Sequence, residues 1–466
     1  KAFPEIMQAG GFDVVIGNPP YIRIQVMQEW APLEVEYYKQ RYTSAAKGNY
    51  DIYVVFVERG LSLLKKGMSL LGFILPSKFF ATDYGEPLRK LICDNKALSE
   101  VVDFGHAQVF DRATTYTCLL FLTGEETESI SYLKITNPPQ VASDGMQPRM
   151  MGVDLLSQAP WIFSTNAESG LADKLLRRSV SLSDLPARIG RGSSSGADDV
   201  FILQQRGNKL YARSGAEISV EPEILRVPVY ATDFRRYVFS PKVEERIIFP
   251  YDVAADSYTL KAENEMRLHF PKAYKYLLSR REELENRKQY KAWYGFSAPR
   301  NLDVHDSADM LVPLLADKGL YCRLPEDASR YCLMASGGFS ITIGRHSGIL
   351  PTYVLGLLNS RLLFWRLRSI SNVFRGGWIT CTKQYVETLP IYTINPGDSA
   401  GKARHDRIVA LVQQMLTLNK QLTAAKTPHE QENLKRQIDA TDRQIDKLVY
   451  ELYGLTDEEI RIVEGD

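Results

Sequence analysis

The run Phe12-Asp13-Val14-Val15-Ile16-Gly17 is short, almost continuously apolar and closed by glycine. That pattern predicts a strand buried in a parallel sheet. From Tyr50 to Leu64 apolar and polar residues recur at helical spacing, and Lys65-Lys66-Gly67 ends the run with a basic last turn and a C-cap glycine. Met68–Leu75, closed by Pro76, predicts a second buried strand, Pro87–Asp94 a helix, and Val101–Phe104 and Thr117–Leu122 two further strands. Strand and helix in alternation predict an α/β fold with a doubly wound, Rossmann-like sheet. Only about half of such a sheet is expected here. Nucleotide-binding α/β domains usually open with a strand and a glycine-rich turn into a helix, and nothing upstream of Phe12 supplies one.

Beyond this region the pattern changes. Residues 125–165 are rich in Ser, Thr, Pro and Gln and read as a linker with some strand. Residues 166–395 mix short strands and helices between Gly and Pro breaks, which predicts an α+β domain. Its glycine-rich segment Gly190-Arg191-Gly192-Ser193-Ser194-Ser195-Gly196 is spaced G-x-G-x-x-x-G and precedes Val200–Leu203, which reads as a strand. A phosphate-cradling helix start is not expected there. Ile408, Leu411, Val412, Met415, Leu418 and Leu422, then Leu434, Ile438, Ile445, Leu448 and Leu452, lie at helical spacing on either side of Thr427-Pro428. They predict an antiparallel helical hairpin packed on the rest of the chain. The expected boundaries are therefore 1–124, 125–165, 166–395 and 396–466.

Composition narrows the class. In 466 residues, 44% hydrophobic and 24% charged is the balance of a globular protein, not a disordered or fibrous one. No stretch is apolar for long enough to cross a membrane, and residues 1–20 show no basic-then-apolar signal pattern. Cys93, Cys118, Cys322, Cys332 and Cys381 form no C-x-x-C pair, so reduced thiols in a cytoplasmic protein are expected and a metal site is not. The net charge of +1 excludes polyanion binding by bulk charge, but residues 171–213 carry +4, residues 361–383 carry +5 and residues 430–466 carry −6. A basic middle with an acidic tail is compatible with a localised nucleic-acid face, and equally with solvated surface charge.

Asn18-Pro19-Pro20-Tyr21 follows the first strand at its carboxyl end, the edge at which open α/β sheets bind ligands. Two prolines make a rigid elbow with free carbonyls. The Asn18 side-chain oxygen and the Pro19 carbonyl can converge on one amino group while the Tyr21 ring lies against a planar substrate. The lone pair of a planar exocyclic amine is delocalised. Two acceptors gripping its hydrogens favour a tetrahedral nitrogen, an interaction stronger in the transition state than in the ground state.

Gly-Phe-Asp-Val-Val-Ile-Gly-Asn-Pro-Pro-Tyr resembles motif IV of amino-methyltransferases that use S-adenosylmethionine, and most of all the gamma-class N6-adenine DNA methylases of type IIG restriction-modification systems with their Taq-type specificity domain. Asn49–Tyr53 with Phe56–Arg59, and Gly72–Phe79, look like the helix after motif IV and motif VI. Val109-Phe110 followed by Ala113–Tyr116 looks like the motif VIII loop, where an aromatic, here Phe110, packs on the flipped adenine. Trp293–Gly295, Leu355–Ser360 and Val386–Ile391 are similar to the specificity region, and Lys447–Thr456 to its closing helix. The resemblance implies the C-terminal part of a methylase catalytic domain over 1–124, target recognition over 166–395, double-stranded DNA as partner and S-adenosylmethionine as cofactor. The family's cofactor motif and the nuclease domain of type IIG enzymes lie upstream of motif IV and are not found in this chain, so the chain alone is expected to be inactive.

A reader of DNA needs donors on a rigid frame, Arg for guanine edges and Lys, Arg or Ser for phosphates. The candidates are Arg188, Arg191, Ser193 and Ser194 around the glycine-rich segment, Arg345 after the strand-like Ile341–Gly344, and Arg375, Trp378 and Lys383 around Gly376-Gly377. His346 has no partner pattern and is not expected to bind metal. Two other functions fit the same residues: a DNA-recognition module without its own activity, and an amino-methyltransferase acting on a protein glutamine or an rRNA guanine.

Overall fold

In the computed structural model, which describes residues 3–105, 109–110, 116–135, 148–161, 163, 166–344, 348–371, 378–395 and 397–465, the chain forms two compact units that divide between Ser169 and Gly170.

The first unit contains α1 (Pro4–Gln8), β1 (Val14–Gly17), α2 (Ile24–Trp30), α3 (Pro32–Arg41), α4 (Tyr53–Leu61), β2 (Gly67–Pro76), α5 (Glu86–Asp94), β3 (Leu98–Asp103), β4 (Thr117–Gly124), β5 (Ser129–Lys134) and β6 (Arg149–Gly152). Its six strands make one sheet in the order β1-β2-β4-β3-β5-β6. β1 and β2 are parallel, with Gly17 opposite Phe73. β4 runs antiparallel to both neighbours, so the sheet is mixed. Strands β5 and β6, from the stretch rich in Ser, Thr, Pro and Gln, extend it. The two-residue alternation of a strand separates its faces. Leu71, Phe73 and Leu75 of β2 join Leu120 and Leu122 of β4 and the buried side chains of α2 to α5 in one cluster. Gly60 of α4 allows close packing there, because a methyl at its Cα would meet Phe73 Cζ at 3.2 Å. The other face carries a small cluster of Val102, Phe104 and Ile135. Near β1 that face is bare: Val14, Ile16 and Met68 are 60%, 84% and 92% exposed.

The second unit holds a six-stranded sheet ordered Glu217–Ile218, Lys209–Tyr211, Ile202–Arg206, Glu245–Ile248, Leu225–Val229 and Tyr331–Leu333. A four-stranded sheet runs Cys322–Arg323, Met310–Val312, Phe339–Ile343 and Ala187–Arg191. Two 26-residue helices, Ser399–Ala424 and Pro428–Tyr453, are joined by three residues, which makes them antiparallel neighbours. Thr427 caps the second through the Glu430 amide, and Gly454 ends it in the left-handed region at φ 67°. Ile408, Leu411, Val412 and Met415 of the first and Ile445 and Val449 of the second enter the unit's largest core together with Val354, Leu358 and Leu363. Among the described residues no helix is long and apolar enough to cross a membrane.

Candidate active site

The elbow stands where β1 ends. Beyond the Gly17–Phe73 pairing, β2 continues alongside it through Ile74, Leu75 and Pro76. Asn18 is exposed, Pro19 buried, and Pro20 and Tyr21 half-buried. The Tyr21 hydroxyl donates to the Ile74 carbonyl at 3.1 Å, tying the far edge of its ring to β2. Burial, reinforced by Cys118, pushes the Tyr21 phenol up to about 12, so it stays a neutral donor in that bond. After the elbow the chain is stitched down at once. The Ile52 amide donates to the Ile22 carbonyl and the Ile24 amide to the Tyr50 carbonyl, both at 2.9 Å, with Arg23 opposite Asp51. The elbow is thus held on one side by β2 and behind by residues 50–52. Asn18 projects its carboxamide from this frame with no hydrogen bond among the described residues. Phe110 lies half-buried between β3 and β4.

Two supporting residues lacked a clear signal. Asp51 is 8% exposed, and its burial raises its carboxyl above the ordinary range. Arg89 is 2% exposed. It donates to the Thr82 carbonyl at 2.8 Å, the Gln158 carbonyl at 2.9 Å and the Phe79 carbonyl, fixing the turn after β2. The one hint for Arg89 is a cation on the stripe of α5 that also buries Leu88 and Ile92.

The second unit distributes the proposed reader residues unequally. Arg188 is exposed and pairs with Asp303 and, at 3.2 Å, with Asp256. Ser193 is fully buried, and its hydroxyl accepts from the Arg300 amide at 2.9 Å and donates to the Arg300 carbonyl at 3.2 Å. It braces the loop from within. Ser194 is half-buried and exchanges two 3.0 Å backbone bonds with Ala298. Arg191 is exposed, and its carbonyl accepts from Asn301 Nδ2 at 3.1 Å. Trp378 is exposed, as is Lys383, which lies 3.9 Å from Glu387. Arg345, His346, Arg375 and Gly376-Gly377 fall outside the described residues.

The glycine-rich segment serves packing. A methyl at Gly192 would collide with the Met334 carbonyl. After Gly196 comes a one-turn helix, Asp198–Phe201, and the strand begins only at Ile202. The helix opens with Asp198 and Asp199, and the Ser195 hydroxyl donates to Asp198. Two carboxylates at a helix start complement the helix dipole and disfavour an added phosphate. His305 stands behind this loop. It is 5% exposed, its Nδ1 lies 2.6 Å from Ser340 Oγ, and burial holds its imidazole down at about 4.

A prolyl elbow after a parallel strand, on an α/β sheet, stands at the carboxyl edge where such sheets bind ligands. Residues 1–110 match the model of the Eco57I restriction-modification methylase family. The type II restriction enzyme and methyltransferase RM.Eco57I of Escherichia coli is 26% identical over 474 residues, covering 96% of this chain and 46% of that protein. The type II methyltransferase M.BstVI of Geobacillus stearothermophilus is 25% identical over 300 residues, covering 59% of this chain and 49% of that protein. The chain is a relative of the Eco57I-type restriction-modification methylases, and spans about half the length of these two. Among solved structures, the type IIL restriction-modification enzyme MmeI in complex with DNA shares the fold, with a TM-score of 0.55 at 12% identity over 97% of this chain and 56% of that one.

Proposed function

We propose that this chain belongs to a site-specific DNA methyltransferase that methylates the exocyclic amine of an adenine swung out of the duplex. The observation that carries this reading is the Asn18-Pro19-Pro20-Tyr21 elbow, braced by β2 and residues 50–52, with the Asn18 carboxamide left open to solvent. The Asn18 oxygen and the Pro19 carbonyl grip the amine. Tyr21 and Phe110 hold the extruded base by stacking. Recognition belongs to residues 166–395. Of the described candidates there, Arg188, Arg191, Trp378 and Lys383 are exposed and Ser194 is half-buried. Arg345 and Arg375 remain proposals from the sequence.

S-adenosylmethionine is the methyl donor this reading requires. The residues in hand do not fit it unaided: β1 is the edge strand, its outer face is bare, and no described glycine-rich turn opens beside the elbow. In the complete enzyme, Asn18→Ala removes one acceptor made for the transition state. Such a contact is worth about 2.7–4 kcal/mol, so methylation should slow by about a hundredfold or more while DNA affinity changes little. Turnover within a few-fold of wild type would mean that the elbow is only structural.

A further inference from the structure

Arg23 and Lys78 are two exposed cations at the carboxyl edge of the first sheet. Arg23 comes two residues after Tyr21. Lys78 opens the turn Ser77–Phe80 that follows β2, the strand that runs beside the elbow. Both look onto Asp51. Arg23 and Asp51 face each other in a short antiparallel pairing whose hydrogen bonds are made by the flanking residues, Ile52 to Ile22 and Ile24 to Tyr50. In such a non-hydrogen-bonded pair the opposed side chains share a face and approach most closely. Lys78 stands in the turn that follows β2, and both cations act on the Asp51 carboxylate electrostatically. Around Asp51 the facing groups are Arg23, Lys78 and Tyr84, whose hydroxyl also meets that of Tyr53 at 3.0 Å.

Among the described residues neither cation closes an ion pair. Lys47, Lys65, Lys90 and Lys96 of the same unit each do. A buried acid beneath two exposed cations keeps them on one side and leaves their outward donors open. Carrying a base to Asn18 brings the phosphates on either side of its sugar to this rim, whatever the sequence around it.

We infer that Arg23 and Lys78 form a clamp for the phosphodiesters that flank the extruded nucleotide, with Asp51 as the residue that positions them. This rests on the DNA methyltransferase reading and adds to it a sequence-independent grip beside the catalytic elbow, apart from the recognition residues. Arg supplies a planar, bidentate fork and Lys a point charge.

The test uses the 466-residue chain and a fluorescent single-stranded oligo-dA 12-mer, with affinity followed by anisotropy between 50 and 200 mM salt. Each phosphate contact on a single strand contributes about 0.7 to the slope of log affinity against log salt. Arg23→Gln and Lys78→Gln should each lower the slope by about 0.7, and the double variant by about 1.4. Arg23→Lys and Lys78→Arg should retain it. Lys90→Gln, which breaks only the surface pair with Asp94, should leave it unchanged. A double variant with the wild-type slope, or a Lys90→Gln slope reduced as much as the others, overturns the clamp alone. A wild-type chain that binds neither this oligonucleotide nor duplex DNA overturns the DNA reading itself.

Discussion

At the scale of single residues, the elbow depends on restraint more than on contact. Tyr21 offers its ring to the substrate, but its hydroxyl is committed to Ile74. Tyr21→Phe keeps the ring and loses one hydrogen bond, worth about 1 kcal/mol. Tyr21→Ala loses the stacking surface, worth about 1–3 kcal/mol per base. With 2-aminopurine at the target position of the complete enzyme, Tyr21→Ala should abolish the fluorescence rise on binding while sequence preference persists. Tyr21→Phe should retain most of the rise. If Tyr21→Ala erases sequence preference instead, the division between elbow and reader is wrong. His305 makes a second residue-scale prediction. Its imidazole is depressed from 6.5 to about 4 by burial. Between those values the unfolded chain takes up a proton that the folded one refuses, so the stability His305 contributes is present above pH 6.5 and is lost as pH falls towards 4. The full window amounts to about 3 kcal/mol. Urea unfolding of wild type and His305→Gln at pH 7, 5.5 and 4.5 should show their difference narrowing as pH falls. A constant difference would mean that His305 titrates normally.

At the scale of elements, the segment Leu355-Gly356-Leu357-Leu358-Asn359-Ser360 shows how recognition-like sequence becomes architecture. It lies in the helix Pro351–Asn359. A side chain at Gly356 would press on Ile408 Cγ2 and Val412 Cγ2, at 3.0 and 2.8 Å for its first carbon alone. Asn359 is 1% exposed and fully satisfied, accepting from the Tyr321 amide at 3.0 Å and donating to the carbonyls of Tyr321 at 2.9 Å and Leu355 at 3.1 Å. The C-terminal helices therefore dock through a glycine. Overpacking such a contact typically costs about 1–3 kcal/mol. Gly356→Leu should lower the melting temperature of the 466-residue chain by several degrees, whereas Gly170→Leu, where a side chain meets open space, should change it little.

At the scale of the whole molecule, the two units differ in how well they cover themselves. The second buries large apolar side chains in three clusters. The first leaves Val14 and Ile16 bare on the edge strand β1, and Met68 bare on the neighbouring β2. An exposed apolar edge strand is a template for association. Sedimentation of the isolated chain should show concentration-dependent self-association that Ile16→Lys suppresses; a strictly monomeric wild type would show the edge to be protected. The same incompleteness predicts the cofactor behaviour. Calorimetric titration of the 466-residue chain with S-adenosylmethionine should show no heat of tight binding, and micromolar affinity would reveal a cradle in the chain itself.

Local pattern sufficed for the strand before Asn18, the two prolines that stiffen the elbow, the helix of Pro87–Asp94 and the C-terminal helix pair. Each rests on neighbours along the chain: apolar runs, fixed proline dihedrals, the 3.6-residue period and the break at Thr427-Pro428. The antiparallel setting of β4 and the late start of the strand at Ile202 were not legible, because strand partners and one-turn helices depend on distant packing. Nor was the fate of individual polar groups. Arg188 and Arg191 belong to the same strand three residues apart and both are exposed, yet only the first closes ion pairs, with Asp303 and Asp256, among the described residues. Ser193 and Ser194 are adjacent, yet the first turns inward to Arg300. Arg23, Asp51 and Lys78 come from three separate stretches and converge only once β1 lies beside β2 and residues 22–24 pair with 50–52. Charge and hydrogen-bonding capacity are written in residue type. Whether they are spent inside the protein or left for a ligand is decided by partners that only the folded chain brings within reach.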